Sequence, residues 1–189
     1  MFTAWALAIA LAATHQPAAQ PPPAQQTPAQ KYDRTTLAGS AAYTYEGVKG
    51  FILKSAEKMP VGHFGFQPTP EVRSFGQILA HIADGNYLLC SPALGEENPN
   101  GKAVDKIEQE KLGRDALIAK LKESFAYCDR AYAALTDGNA VEVVPFLSAK
   151  RPRVGLLWFH VSHAFEHYGN LVTYMRLKGI VPPSSERVG

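Results

Sequence analysis

The chain has 189 residues and a formal net charge of +2 at neutral pH, with positive and negative residues interspersed. It has neither a basic run interleaved with aromatic residues nor a glycine-rich phosphate loop, so we predict no nucleic-acid binding. All charged residues follow position 30. The remainder of the chain is long enough for one domain with a substantial hydrophobic core.

The N-terminal segment has the pattern of a signal peptide. A short apolar run from Trp5 to Ala13 is accompanied by small residues that suit cleavage. The run is too short for a membrane-spanning helix, so we expect no membrane span in the mature protein. No lysine or arginine precedes it, and a disordered apolar tail is the alternative. We assign residues 1–19 to the signal peptide, 20–32 to a linker rich in proline, glutamine and alanine, and 33–189 to a periplasmic or secreted domain.

Four helices are predicted where apolar residues recur at spacings of three and four. They run from about Thr35 to Met59, from the N-cap Ser74 to Pro92 and Gly95, from Asp115 to Leu135, and from Val154 to Lys178. Ser74 and Gln77 have the spacing of a capping box. The connections are polar or rich in proline and glycine, and none has a strand pattern. We therefore predict an all-α four-helix bundle.

The two cysteines, Cys90 and Cys128, allow two states. In an exported protein an even number of cysteines permits a disulfide, whereas in the cytoplasm these would be two small buried side chains. Export favours the disulfide, but the sequence leaves both states open.

Three of the six histidines lie within eight residues of the last helix, at His160, His163 and His167. Their spacing of three and four places the imidazoles on one helical face, in a stripe shared with leucines. Burying three imidazoles costs free energy unless each has a partner, and one divalent metal ion would satisfy several of them. Core or surface histidines without a metal are the alternative.

A metal site of this kind needs a third ligand from elsewhere in the chain. His81 lies in the middle of the second helix, at the edge of its apolar face, and His63 lies in a glycine-rich loop. From the residues alone, His81 could equally be a boundary histidine bonded to a carbonyl group.

Segments of the second and fourth helices resemble the DinB/YfiT superfamily. They are SFGQILAHIAD at residues 74–84, HAFEHYGNL at 163–171 and YMRLKGIVPP at 174–183. The resemblance covers residues 35–185 and implies an up-down-down-up four-helix bundle. It also implies a divalent metal, Zn²⁺ or Ni²⁺, held by His81, His163 and His167. The family often has glutamine where this chain has Asn170.

Members of that family with assigned activities include thiol-dependent transferases and isomerases. We therefore expect a metal-dependent transferase or hydrolase that acts on a small molecule, with a non-catalytic metal- or ligand-binding module as the alternative. Export argues against thiol transfer, because low-molecular-weight thiol cofactors are cytoplasmic. We leave a homodimer open, since bundles of this kind often pair through exposed helix faces.

Glu166 is the candidate catalytic residue. It could act as a general base or orient a ligand imidazole, and a solvated or ion-paired glutamate is the alternative. Asp84, three residues after His81, is a candidate hydrogen-bond acceptor behind the site. His160 is either a fourth ligand or a supporting partner.

Overall fold

The computed structural model describes Met1 and residues 31–103 and 105–186. Its elements are α1 (Leu37–Lys58), α2 (Phe75–Leu94), α3 (Lys106–Gln109), α4 (Arg114–Ala134), β1 (Val143–Phe146), β2 (Ala149–Pro152) and α5 (Arg153–Leu177), with short 3-10 turns at Val61–His63 and Pro183–Ser185. The predicted signal peptide and nearly all of the predicted linker lie outside the described residues, apart from Met1. In the described part of the chain, no helix combines the length and apolar character needed to cross a membrane.

The four long helices begin and end close to their predicted positions, because their caps are encoded locally. The side chain of Ser74 accepts the N–H of Gln77, and the side chain of Gln77 accepts the N–H of Ser74, which completes the capping box of α2. Gly95 takes a left-handed φ of 74° and ends the helix. Pro92 lies inside the last turn of α2 instead of ending it.

The long helices form a bundle in which α1 and α2 each pack against α4 and α5. The contacts that set their directions are Tyr45–His160 and Phe51–Tyr168 between α1 and α5, and Asn86–Ser124 and Cys90–Cys128 between α2 and α4. Helices α1 and α5 are therefore parallel to each other, and so are α2 and α4. Tyr174, near the end of α5, bonds the carbonyl of Arg73 just before α2, so the two pairs run in opposite directions. The up-down-down-up topology is confirmed.

The core lies between the four helices and contains fully buried side chains from each of them. On α5, Leu156, His160, His167 and Leu171 are buried, and His163 is partly buried. The histidines of α5 therefore lie on its inner face, as the helical stripe predicts.

Two short elements occur where the sequence predicts loops. The first is the hairpin of β1 and β2, which pair antiparallel from Val143–Pro152 to Phe146–Ala149, so the prediction of no strands was wrong. Its four-residue strands are too short to show a clear alternation, and proline is unfavourable in strands. The second is α3, a single turn in the connection between α2 and α4.

Candidate metal centre

Three imidazoles from two helices meet inside the bundle. α2 contributes His81, and α5 contributes His163 and His167, which lie one helical turn apart. The Nε2 atom of His163 is 3.2 Å from Nε2 of His81 and 3.1 Å from Nε2 of His167. The structure thus brings together the three histidines that the family resemblance selects, which we call the triad.

The spacing of the triad suits one small metal ion. Metal–nitrogen bonds of about 2.0–2.1 Å separate neighbouring nitrogen ligands by about 3–3.4 Å, close to the distances in the triad. Imidazole nitrogens suit zinc, nickel and other first-row ions. Nitrogen lone pairs held this close repel one another unless a proton or a cation lies between them, so the donor set fits a metal.

Asp105 orients His81 within the triad. Its Oδ1 lies 2.8 Å from Nδ1 of His81, so Nδ1–H is donated to the carboxylate and Nε2 keeps its lone pair. Arg73 holds the other side of the carboxylate, with Nη2 3.4 Å from Oδ2 of Asp105, and also pairs with Glu108. Asp105 has a φ of 54°, a left-handed conformation that aspartate tolerates better than most residues.

Asp84 of α2 holds α3, the short helix that directly follows Asp105, in place. Its buried carboxylate accepts the backbone N–H groups of Ile107 at 3.0 Å and Glu108 at 3.2 Å, and the side-chain amide of Asn100 at 2.7 Å. Burial raises the pKa of Asp84, and the two backbone donors oppose that rise. As a hydrogen-bond acceptor behind the site, Asp84 fixes the segment that carries Asp105, which is the partner of His81.

The position of His163 requires a glycine at position 85 of α2. A Cβ atom built on Gly85 would lie 2.6 Å from Cε1 and 3.1 Å from Nδ1 of His163. The first distance is shorter than real carbon contacts allow, so any side chain at this position would push the imidazole away from the triad.

Burial keeps the two α5 histidines of the triad uncharged. The pKa of His163 is lowered to about 4, first by burial and then by the neighbouring His167 and His81. The pKa of His167 is also lowered, mainly by burial. Neutral imidazoles carry the lone pair that a metal needs.

Nδ1 of His167 is buried without a hydrogen-bond partner among the described residues, so packing orients this ring.

Glu166 lies on the exposed side of α5 and is not among the described residues that line the cleft beside the triad. Its charge acts on His167, whose pKa it raises against the effect of burial. The carboxylate that contacts the triad is Asp105. A catalytic role for Glu166 stays a prediction.

His160 belongs to a separate buried network. Its Nδ1 lies 2.9 Å from the hydroxyl of Tyr132, and its Nε2 lies 2.9 Å from Oδ1 of Asn86. It also lies beside the disulfide that joins Cys90 to Cys128. Both ring nitrogens of His160 are therefore bound within the core, which gives it a structural role and not the position of a fourth ligand.

A cleft of about 840 Å³ opens beside the triad, with His81 and His163 on its wall. Its volume lies in the range of small-molecule sites. Much of the remaining wall is apolar and comes from both helices and the hairpin: Leu88, Leu89, Phe146, Leu147 and Phe159. The geometry therefore places three imidazoles next to a space that can hold a small organic molecule.

A family model described as the DinB superfamily matches residues 51–171, which is more than half of the chain. The chain belongs to the DinB superfamily. The matched residues of this DinB-superfamily protein include all three histidines of the triad. A comparison with curated proteins gives no significant match.

Solved structures with the same fold include two DinB-like proteins. The protein from Bacillus cereus is 14% identical with a TM-score of 0.63, over 76% of this chain and 93% of that one. The protein from Bacillus subtilis is 19% identical with a TM-score of 0.60, over 78% and 99%. The mycothiol-dependent maleylpyruvate isomerase is 19% identical with a TM-score of 0.60, over 72% of this chain. The chain spans only 62% of the length of that isomerase. At these identities the similarity establishes the fold.

Two site residues were not predicted from the sequence. Gly85 had a usable signal, because a glycine inside an apolar helix often marks a close approach by another group. Asp105 had none, because its contact with His81, 24 residues earlier, depends on the path of the connection between α2 and α4.

Proposed function

We propose that this DinB-superfamily protein binds one divalent metal ion, Zn²⁺ or Ni²⁺, through the Nε2 atoms of His81, His163 and His167. We further propose that the site serves a metal-dependent transferase or hydrolase reaction on a small molecule in the adjacent cleft. The observation that carries the proposal is the convergence of three Nε2 atoms: those of His81 and His167 lie 3.2 Å and 3.1 Å from that of His163. A bound divalent ion would supply a Lewis acid that activates water or a thiol for attack.

The chain's own residues prepare the proposed site. Asp105 holds the proton of His81 at Nδ1, which leaves Nε2 available as a ligand. Gly85 leaves space for the imidazole of His163. The apolar walls of the cleft lower the local dielectric constant, which strengthens electrostatic interactions with a reacting group.

The comparisons support an enzymatic role in general terms. One protein of the same fold is a mycothiol-dependent isomerase, so this bundle can support catalysis. The choice between a transferase and a hydrolase depends on whether the nucleophile is a thiol or water.

A non-catalytic metal- or ligand-binding module is the second candidate. The non-catalytic interpretation is favoured because the carboxylates near the triad already have partners. Asp105 is bound to His81 and Arg73, and Glu108 is bound to Arg73. Glu166 is free of such partners among the described residues but faces solvent. The described part of the chain therefore offers no uncommitted acid or base in contact with the triad.

Elemental analysis of the purified protein tests metal binding. We expect about one metal ion per wild-type chain and a loss of most of the metal in His81→Ala. His63→Ala is the matched control, because His63 ends the turn Val61–His63 and takes no part in the triad. Unchanged metal content in His81→Ala would show that the ligand assignment is wrong.

Turnover by the metal-loaded protein separates the two candidates. Panels of thiol conjugates, esters and amides should include a substrate that the wild type converts and that His163→Ala does not. A protein with full metal occupancy, four protein ligands on the metal and no turnover would instead be the non-catalytic module.

Export of the protein is a further part of the proposal. The disulfide between Cys90 and Cys128 is typical of proteins from oxidising compartments, which supports the predicted signal peptide. Cell fractionation should find a shortened chain in the periplasmic or secreted fraction. An unprocessed chain in the cytoplasm would contradict export.

A further inference from the structure

Two positive side chains line the cleft beside the triad, and neither is paired with a carboxylate among the described residues. Arg151 lies on β2, and Lys102 lies in the connection between α2 and α4. Both are exposed. By contrast, Arg153, two residues after Arg151, is paired with Glu142.

The carboxylates that line the same cleft are already bound within the protein. Glu96 accepts hydrogen bonds from Arg130 and Tyr127. Asp105 is bound to His81, and Asp84 accepts the backbone donors of α3. Among the charged groups that line the described part of the cleft, Arg151 and Lys102 are therefore the ones left without a partner for a ligand to engage.

Arg151 is held in place by two aromatic rings. Its guanidinium lies 5.1 Å from the ring centre of Phe159 and 5.7 Å from that of Phe146. Stacking on a ring leaves the edge of the guanidinium free to donate two parallel hydrogen bonds. Phe159 lies one turn before His163 on α5, about 6 Å along the helix axis. A short apolar stretch thus separates the cation from the triad.

The hairpin adds a strained apolar residue to the same wall. Leu147 has a φ of 52° and is 78% exposed. A left-handed leucine is unfavourable, and the positive φ here belongs to the two-residue turn that joins β1 to β2. Leu88 and Phe159 are also partly exposed beside it. These side chains form an apolar surface next to the unpaired guanidinium.

We propose that the cleft binds a small amphipathic carboxylate, with its anionic group on Arg151 and its apolar body against Phe159 and Leu147. The planar carboxylate matches the guanidinium edge, and Lys102 is a second cation in the lining without a carboxylate partner among the described residues. The identification of this carboxylate as the substrate rests on the proposed function. The binding of the carboxylate does not, because it needs no metal.

Ligand titrations of the metal-free protein, followed by NMR, test this proposal with 3-phenylpropanoate and its uncharged amide, 3-phenylpropanamide. The wild type should bind the acid about five- to tenfold more tightly than the amide, and added salt should reduce the difference. Arg151→Gln should lose this preference. Lys150→Gln is the matched control, because Lys150 is the preceding residue of β2 and does not line the cleft.

Equal affinity for the acid and the amide, no binding of either, or an unchanged preference in Arg151→Gln would overturn the proposal. The comparison of acid with amide uses the wild type, so it stands even if the variant folds poorly. Failure of the proposed metal site is detected separately, by metal content. A preference for the acid that persists in His163→Ala supports the carboxylate site independently of the metal.

Discussion

Replacing Gly85 with alanine should disable the proposed metal site and leave the fold intact. The new Cβ would lie 2.6 Å from Cε1 of His163, about 0.8 Å inside the 3.4 Å at which ordinary contacts begin. The imidazole can move away because His163 is only partly buried and borders the cleft. Metal sites tolerate ligand shifts of about 0.2 Å. The zinc affinity should therefore fall by about 10–100-fold, as it does when a ligand loses its support.

The stability of the metal-free variant should change little. Alanine is better than glycine inside a helix by about 1 kcal/mol, which offsets the cost of moving the ring. Competition with a chromogenic chelator measures the zinc affinity, and urea unfolding measures the stability. Gly47→Ala in α1 is the matched control, since a Cβ there meets nothing within 4 Å. Wild-type zinc affinity in Gly85→Ala would refute His163 as a ligand.

Three further predictions address the support of the site and the stability of the bundle. Asp105→Asn keeps the backbone conformation but removes the charge beside His81, so the zinc affinity should fall about tenfold; wild-type affinity in the chelator assay would show that this carboxylate does not tune the ligand. Between pH 7 and pH 5 the metal-free protein should lose about 2 kcal/mol of unfolding free energy from His160 alone, because the pKa of His160 is lowered to about 3 in the fold while the unfolded chain takes up a proton below about 6.5. The lowered pKa values of His163 and His167 add to this loss. Equal urea midpoints at the two pH values would contradict this sign. Replacing both Cys90 and Cys128 with alanine opens the loop that the disulfide closes, whose ends are 38 residues apart in sequence. The unfolding free energy should fall by about 3–4 kcal/mol, with zinc content unchanged. A urea midpoint equal to that of the wild type would show that the disulfide does not stabilise the bundle.

The long helices could be predicted from the sequence because their signals are local. The capping box of Ser74 and Gln77 and the glycine after Leu94 lie within a few residues of the helix ends that they fix. The inner face of α5 could also be predicted, since the spacing of His160, His163 and His167 follows the helical repeat.

Long-range contacts could not be predicted in this way. The meeting of His81 with the α5 histidines depends on which helices are neighbours, and it was expected only through the family resemblance. The role of Asp105 depends on α3, which is held in place by the buried carboxylate of Asp84. The separation of His160 from the triad depends on Tyr132 of a third helix.

Anomalous diffraction from crystals of the zinc-loaded protein tests the central claim most directly. We expect one zinc peak at about 2.0–2.1 Å from the Nε2 atoms of His81, His163 and His167. Zinc bound elsewhere, for example at His63, with no peak at the triad would contradict the proposed metal centre.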